Sequence, residues 1–252
     1  MQRPGRGRRS LRGRNLRNLG LAAAIGLISL LVALNWLPTG YLAVRPGPVR
    51  PLTGLIRISG RSGPETSFYM VTVVAEKANA YSLVRALFSP SQEIWSERDV
   101  YAGKTAEQYA EEQKALMDES QRIAAYLAFK ENGFALGPGD PLPLEVYVES
   151  GEVLGPSAGL AFALEMASAL GGTDLARGRK IAATGVLLAS GEVLPVGGIA
   201  EKAVSCREQG IEVFVVPAAN ELEARKWSDD MQVIGVRTFS EAMERLRQSR
   251  SP

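Results

Sequence analysis

The segment Gly155-Pro-Ser-Ala-Gly159 puts a hydroxyl, Ser157, in a turn between a strand-like run and an apolar helix. Glycines allow tight backbone paths there, and a helix start supplies unpaired N–H groups and the positive end of a dipole, both suited to a developing oxyanion. Two other readings fit the same five residues: Ser157 as an ordinary N-cap, or the loop as a phosphate cradle. A serine nucleophile needs a base. The chain has no histidine and a single cysteine, Cys206. Ser-His-Asp and Cys-His sites, HExxH zinc sites, and four-Cys or Cys-His metal sites are therefore excluded. The realistic base is a lysine made neutral. Lys202 is the candidate, because it lies near the start of the helix opened by Gly197-Gly198-Ile199, where the dipole disfavours an ammonium. Its plain alternative is a solvated helix lysine paired with a neighbouring acid. Sequence spacing alone does not bring Ser157 and Lys202 together.

The elements that must position these residues read as follows. Leu52 to Ile58 and Phe68 to Val74 are strand-like, separated by the turn-prone run Ser59 to Pro64. Thr105-Ala-Glu-Gln108 is a capping-box pattern, and the apolar positions after it run to a stop at Asn132-Gly133, predicting a long amphipathic helix over 106–131. Glu111, Glu112, Asp118 and Glu119 on that helix lack metal-ligand spacing and read as a solvated face. Residues 134 to 143 are a breaker-rich linker before a strand from Leu144 to Val148. Beyond Gly159 an apolar helix runs to Leu170; Lys180 to Leu187 and Val193 to Val196 are strands joined at Ser190-Gly191; the helix carrying Lys202 closes at Gly210. Val213 to Val216 is a strand, Asn220 caps a helix, and Gln232 to Val236 precedes a last helix from Ser240. This interleaving predicts a mixed α/β layer fold of about 200 residues.

The N-terminal region is of another kind. Seven arginines lie in the first 17 residues and the first acid is Glu65; without those seven the chain holds 22 basic against 27 acidic side chains, net −5. Arg-rich tails can bind nucleic acid. This one runs directly into Gly20 to Leu37, eighteen residues whose only polar members are Ser29 and Asn35. At about 1.5 Å per residue the run matches the hydrocarbon thickness of a bilayer and reads as a transmembrane helix. A cleavable signal peptide is the competing reading, with Arg8-Arg9-Ser10-Leu11 faintly twin-arginine in character. Against it, residues 38 to 42 offer no clean small-x-small cleavage site, and Trp36 and Tyr41 resemble an interfacial belt. The arginines place residues 1–19 in the cytoplasm as a basic tail, with everything after Tyr41 outside. The expected organisation is thus tail 1–19, membrane helix 20–37, Pro-rich connector 38–51, a first folded part over 52–143 and a second over 144–248.

Four segments in sequence carry a family likeness: Gly155-Pro-Ser-Ala-Gly-Leu-Ala-Phe-Ala-Leu164, Lys180-Ile-Ala-Ala-Thr-Gly185, Gly191-Glu-Val-Leu-Pro-Val-Gly-Gly-Ile-Ala-Glu-Lys202 and Val213-Phe-Val-Val-Pro-Ala-Ala-Asn220. Their order, content and gaps resemble the proteolytic domain of Lon proteases over about residues 144 to 245, and the part from Leu52 to Gln121 resembles the membrane-anchored Lon-like proteases of bacteria. Those usually carry a peptide-binding PDZ module where this chain has a ten-residue linker. The resemblance implies Ser157 as nucleophile and Lys202 as general base in a Ser-Lys dyad, with Thr184 orienting the amine and Gly155, Ala158 and Gly159 supporting the serine. ATP-dependent members often have an acid just before the Gly-Pro-Ser-Ala-Gly run; here Leu154 stands there. It further implies endopeptidic hydrolysis of unfolded or flexible protein segments through an acyl-enzyme, with no metal or cofactor, no nucleic-acid partner and a homo-oligomeric ring. No G-x-x-x-x-G-K-[ST] occurs in the chain, so no ATPase motor is expected in it. The rival readings are an inactive membrane-tethered peptide-binding or scaffold module, and a small-molecule kinase of related fold. An unperturbed lysine, pKa about 10.4, is neutral in only a few molecules per thousand at pH 8, so a lysine base must be lowered by about two to three units, mainly by desolvation.

Overall fold

The computed structural model describes residues 9–61, 68–89, 91–149 and 155–248. Outside them lie the first eight residues of the arginine tail, the later part of the 59–64 turn, and Leu154. Helix α1 (Arg9–Trp36) contains the stretch Asn18–Trp36, which among the described residues is the one helix long and apolar enough to cross a membrane, and none of that stretch is buried against the rest of the chain.

The prolines after it do not make a free connector. Residues 41–51 form strand β1 (Tyr41–Pro51), which pairs antiparallel with β3 (Phe68–Lys77) along its length, with a register shift between Pro46 and Val49. On its other edge β1 meets β4 (Ile94–Ser96) only through Tyr41 to Ala43, so the prolines fall where no ladder hydrogen bond is asked of them. The strand expected over 52–58 shortens to β2 (Ile56–Ile58), because Leu52 to Leu55 close a turn; β2 pairs with β5 (Val146–Val148) in a separate two-stranded sheet. Between β3 and β4 comes the short helix α2 (Ala80–Ala86), and after β4 the helix α3 (Glu97–Tyr101).

The main sheet has the order β10-β9-β6-β3-β1-β4, where β6 is Ile181–Ala183, β9 is Val213–Pro217 and β10 is Gln232–Val236. β10, β9, β6 and β3 are parallel and the β1 and β4 pairings are antiparallel, a mixed sheet as the interleaved pattern predicted. β9 shows why its sequence is an unbroken apolar run: Val213 and Val215 enter one core, Phe214 and Val216 the other. On the first face lie α4 (Ala106–Glu131), α5 (Gly159–Gly171) and α8 (Phe239–Gln248); on the second lie α6 (Ile199–Glu208) and α7 (Glu221–Lys226). α4 starts and stops where Thr105, Gln108 and Asn132 predicted, with the full capping box formed, and its acids 111, 112, 118 and 119 are all exposed. α5 is buried from Gly159 to Leu170, which accounts for its being apolar on every side. Its one acid, Glu165, accepts the backbone N–H of Phe68 at 2.8 Å.

Candidate active site

Ser157 sits in a 3-10 turn, Pro156–Ala158, that leads into α5. It is not an N-cap, because no side chain caps either the turn or the helix. The turn is fixed from two sides. From α4, the Gln113 carbonyl accepts the Gly155 N–H at 3.2 Å and Ser120 Oγ donates to the Pro156 carbonyl at 3.0 Å. From beyond β6, Gly185 N and Thr184 Oγ1 donate to the Ser157 carbonyl at 2.8 and 3.1 Å. Gly155 has φ +88°, a left-handed backbone that a side chain would strain. At Gly159 a Cβ would lie 2.5 Å from Ser120 Oγ. Two of the amides that open α5 are already committed, Gly159 N–H to Pro156 and Leu160 N–H to Gly185.

The run 180–187 is not one strand. β6 ends at Ala183, Thr184-Gly185 turn, and β7 (Val186–Leu187) starts a hairpin with β8 (Val193–Leu194). That break puts Thr184, fully buried, at the carboxyl end of a parallel strand, where open α/β sheets bind their ligands.

Lys202 reaches the same point from the opposite layer. Gly198 caps α6 with φ +66°, and a Cβ there would meet Val73 Cγ1 of β3 at 2.7 Å, so the helix starts hard against the sheet. Its first eight residues are all buried, and Lys202 is 2% exposed with no ion pair among the described residues. The solvated-lysine reading is thereby excluded. Lys202 Nζ donates to Thr184 Oγ1 at 3.3 Å. Thr184 spends its single proton on the Ser157 carbonyl, so towards the amine it can only accept. Among the described residues no hydrogen bond joins Ser157 to Lys202 directly; Thr184 links them. Burial pulls the lysine pKa from 10.5 down to about 8, opposed by the nearby carboxylates, Glu93 first and Glu201 less.

Sequence reading missed three supports. Asn220 does not cap α7; its side chain accepts from Val196 N at 2.9 Å and donates to Val196 O at 3.1 Å, pinning the loop between β8 and α6. Glu201 is fully buried: one oxygen accepts Glu93 N–H at 2.6 Å, while the other has no partner among the described residues. Burial raises its carboxyl above the ordinary range, opposed by the Glu93 N–H bond it accepts, with the charges of Glu93 and Glu223 adding smaller upward pushes. Trp95 donates to Glu93 at 2.6 Å and packs against Gly197. The one usable signal was the pair Glu201-Lys202 inside an otherwise apolar helix start, too apolar for either to be a surface residue.

A mixed sheet that presents a serine in a tight turn, with a buried amine one hydroxyl away, is a hydrolase architecture that does without histidine. Residues 94–247, more than half of the chain, match the Lon protease (S16) C-terminal proteolytic domain, and the chain belongs to that family of serine peptidases. It is 37% identical over 97 residues to the Lon protease of Helicobacter pylori (strain ATCC 700392 / 26695), covering 36% of this chain and 11% of that protein. It is 36% identical over 111 residues to Lon protease 2 of Thermus thermophilus, covering 42% and 14%. Against the Lon protease of Mesomycoplasma hyopneumoniae the identity is 32% over 136 residues, 51% and 15% of the two chains. The chain thus matches less than a fifth of the length of these curated relatives.

Proposed function

We propose that this chain is an ATP-independent serine endopeptidase that cleaves unfolded or flexible protein segments through a Ser157–Lys202 dyad. The observation that carries the reading is the burial of Lys202 beside Thr184, which supplies an amine neutral in a useful fraction of molecules near pH 8. Neutral Lys202 takes the proton of Ser157 Oγ, and the oxygen attacks the peptide carbonyl. The Gly159 and Leu160 amides are committed and the 3-10 turn takes that of Ala158, so the oxyanion falls to the Ser157 N–H. As the tetrahedral intermediate collapses, the Lys202 ammonium returns its proton to the leaving amine. Water, deprotonated by the same lysine, then releases the acyl group. Thr184 holds one N–H of the amine and so turns its lone pair towards the serine. Gly155, Ala158 and Gly159 give the turn its shape.

In the same proposal residues 20–37 anchor the chain in the cell membrane, residues 1–19 are cytoplasmic and the catalytic domain faces outward. That orientation rests on the seven arginines before the span. Assembly as a homo-oligomeric ring belongs to it as well, on the family likeness alone. The test is proteolysis of a fluorescent casein by membrane fractions holding the full-length chain. Ser157→Ala and Lys202→Ala should each abolish cleavage, and the double variant should be no worse than either single one, because the pair acts as a unit. Undiminished cleavage by either single variant would refute the dyad, and an inert wild type would leave the scaffold reading in its place.

A further inference from the structure

The surface beside the membrane helix carries an apolar cluster that the proposed chemistry does not use. Tyr81, Val84, Leu87 and Phe88 are 69, 55, 81 and 81% exposed. Tyr81, Val84 and Phe88 follow a 3, 4 spacing and Leu87 lies three beyond Val84, so they share one side of α2 and of the turn that continues it through bonds from Phe88 N to Arg85 O and from Ser89 N to Ala86 O. An asparagine capping box, Asn79 with Ser82, fixes the start of α2. The patch therefore has a built backbone beneath it.

Its position is set by the anchor. Thr39 Oγ1 donates to Ala78 O at 2.5 Å and Ala78 N donates to Tyr41 O at 2.8 Å, so residue 78 is clamped to a segment that begins three residues after α1 ends at Trp36. α1 and α2 are in direct contact. Trp36 and Tyr41, 82 and 45% exposed, flank Thr39 in sequence and are of the amphipathic aromatic type found where hydrocarbon meets headgroups. From Ala78 to Gln92 the chain has no acid and one cation, Arg85, whereas the protein outside its first 17 residues is net acidic.

We propose that residues 80–88 lie in the headgroup region of the bilayer that α1 crosses, with Leu87 and Phe88 inserted among the upper acyl chains as a second attachment to the membrane. This rests on reading residues 20–37 as a membrane anchor. The occupant is phospholipid because α2 touches the apolar helix α1, the patch is apolar on its outer side and residues 78–92 hold one cation and no acid. Two attachments fix the tilt of the domain on the membrane, where a single helix would let it swing.

The test uses the full-length chain in phosphatidylcholine–phosphatidylglycerol vesicles with a nitroxide high on the acyl chain. Single cysteines at Phe88→Cys, Trp36→Cys and Leu222→Cys, all exposed positions, carry a polarity-sensitive fluorophore; buried Cys206 does not compete for it. Labels at 36 and 88 should be blue-shifted and quenched alike, and the label on α7 at 222 should be neither. Quenching at 36 with none at 88 would overturn the second attachment and leave the anchor standing. No quenching at either site would refute the anchor and the inference with it. A label at 88 that is blue-shifted but not quenched by lipid, and that turns water-like on dilution, would assign the patch to a second copy of the chain instead.

Discussion

Lys202→Met exposes the energetics of the buried amine. Methionine has nearly the length of lysine without the charge, and Thr184 keeps its donation to Ser157. In the wild type the lysine titrates at 10.5 when unfolded and at about 8 when folded. The folded state therefore binds fewer protons than the unfolded state between these values, and stability rises with pH across that window. Below pH 8 both states are protonated, and folding carries the whole cost of burying the ammonium, about 3 kcal/mol; at pH 9 about 2 kcal/mol is left, and above about 10.5 none. Methionine has no such dependence. Urea denaturation of the detergent-solubilised full-length chain should find Lys202→Met inactive yet more stable relative to wild type at pH 7 than at pH 9, by about 1 kcal/mol, with the difference closing further towards pH 10.5. A stability difference independent of pH would mean that the lysine is not desolvated in the native protein, and the argument for its neutrality would fall.

Thr184→Val removes the hydroxyl that joins both residues of the site; we expect a loss of about 1–2 kcal/mol in stability and about 10- to 100-fold in kcat/KM, with Thr184→Ser retaining most of both. A valine variant with wild-type turnover would remove Thr184 from the account. Asn220→Ala leaves the Val196 N–H and C=O without their partner and should cost about 2 kcal/mol, roughly 4–8 °C in Tm by calorimetry, although Asn220 touches neither Ser157 nor Lys202. Gly198→Ala combines positive φ with the Val73 contact, so it should cut activity through a displaced α6 while circular dichroism stays close to wild type. Lys202→Arg should be inactive at every pH in the casein-cleavage assay, because guanidinium stays protonated.

Legibility followed the range of the interactions involved. α4 could be read to its ends because its capping box, apolar spacing and stop are local. The segment from 75 to 104, which forms α2, β4 and α3, carries no sustained period, and its elements are short pieces fixed by contacts with β1 and α1. The prolines of β1 disguised a strand, because a proline is harmless wherever the neighbouring strand has ended. Ser157 and Lys202 were nameable from residue types, the absence of histidine and a family likeness. Their link through Thr184 was not, since it depends on a sheet that sets α5 on one face and α6 on the other and on a strand that breaks at Thr184. Asn220 looked like a cap because its local sequence is that of one; a tertiary partner, Val196, took its side chain.

The central claim, that neutral Lys202 activates Ser157, is tested most directly by the pH dependence of kcat/KM for a fluorogenic peptide, measured on the full-length chain without ATP and with EDTA present. A lysine titrating at about 8 is neutral in about a tenth of molecules at pH 7, half at pH 8 and nine-tenths at pH 9. The expected profile is a single rise with a midpoint near pH 8 to an alkaline plateau, unaffected by chelation. A profile already flat from pH 5, or one whose midpoint lies near the 10.4 of an ordinary lysine, would contradict it.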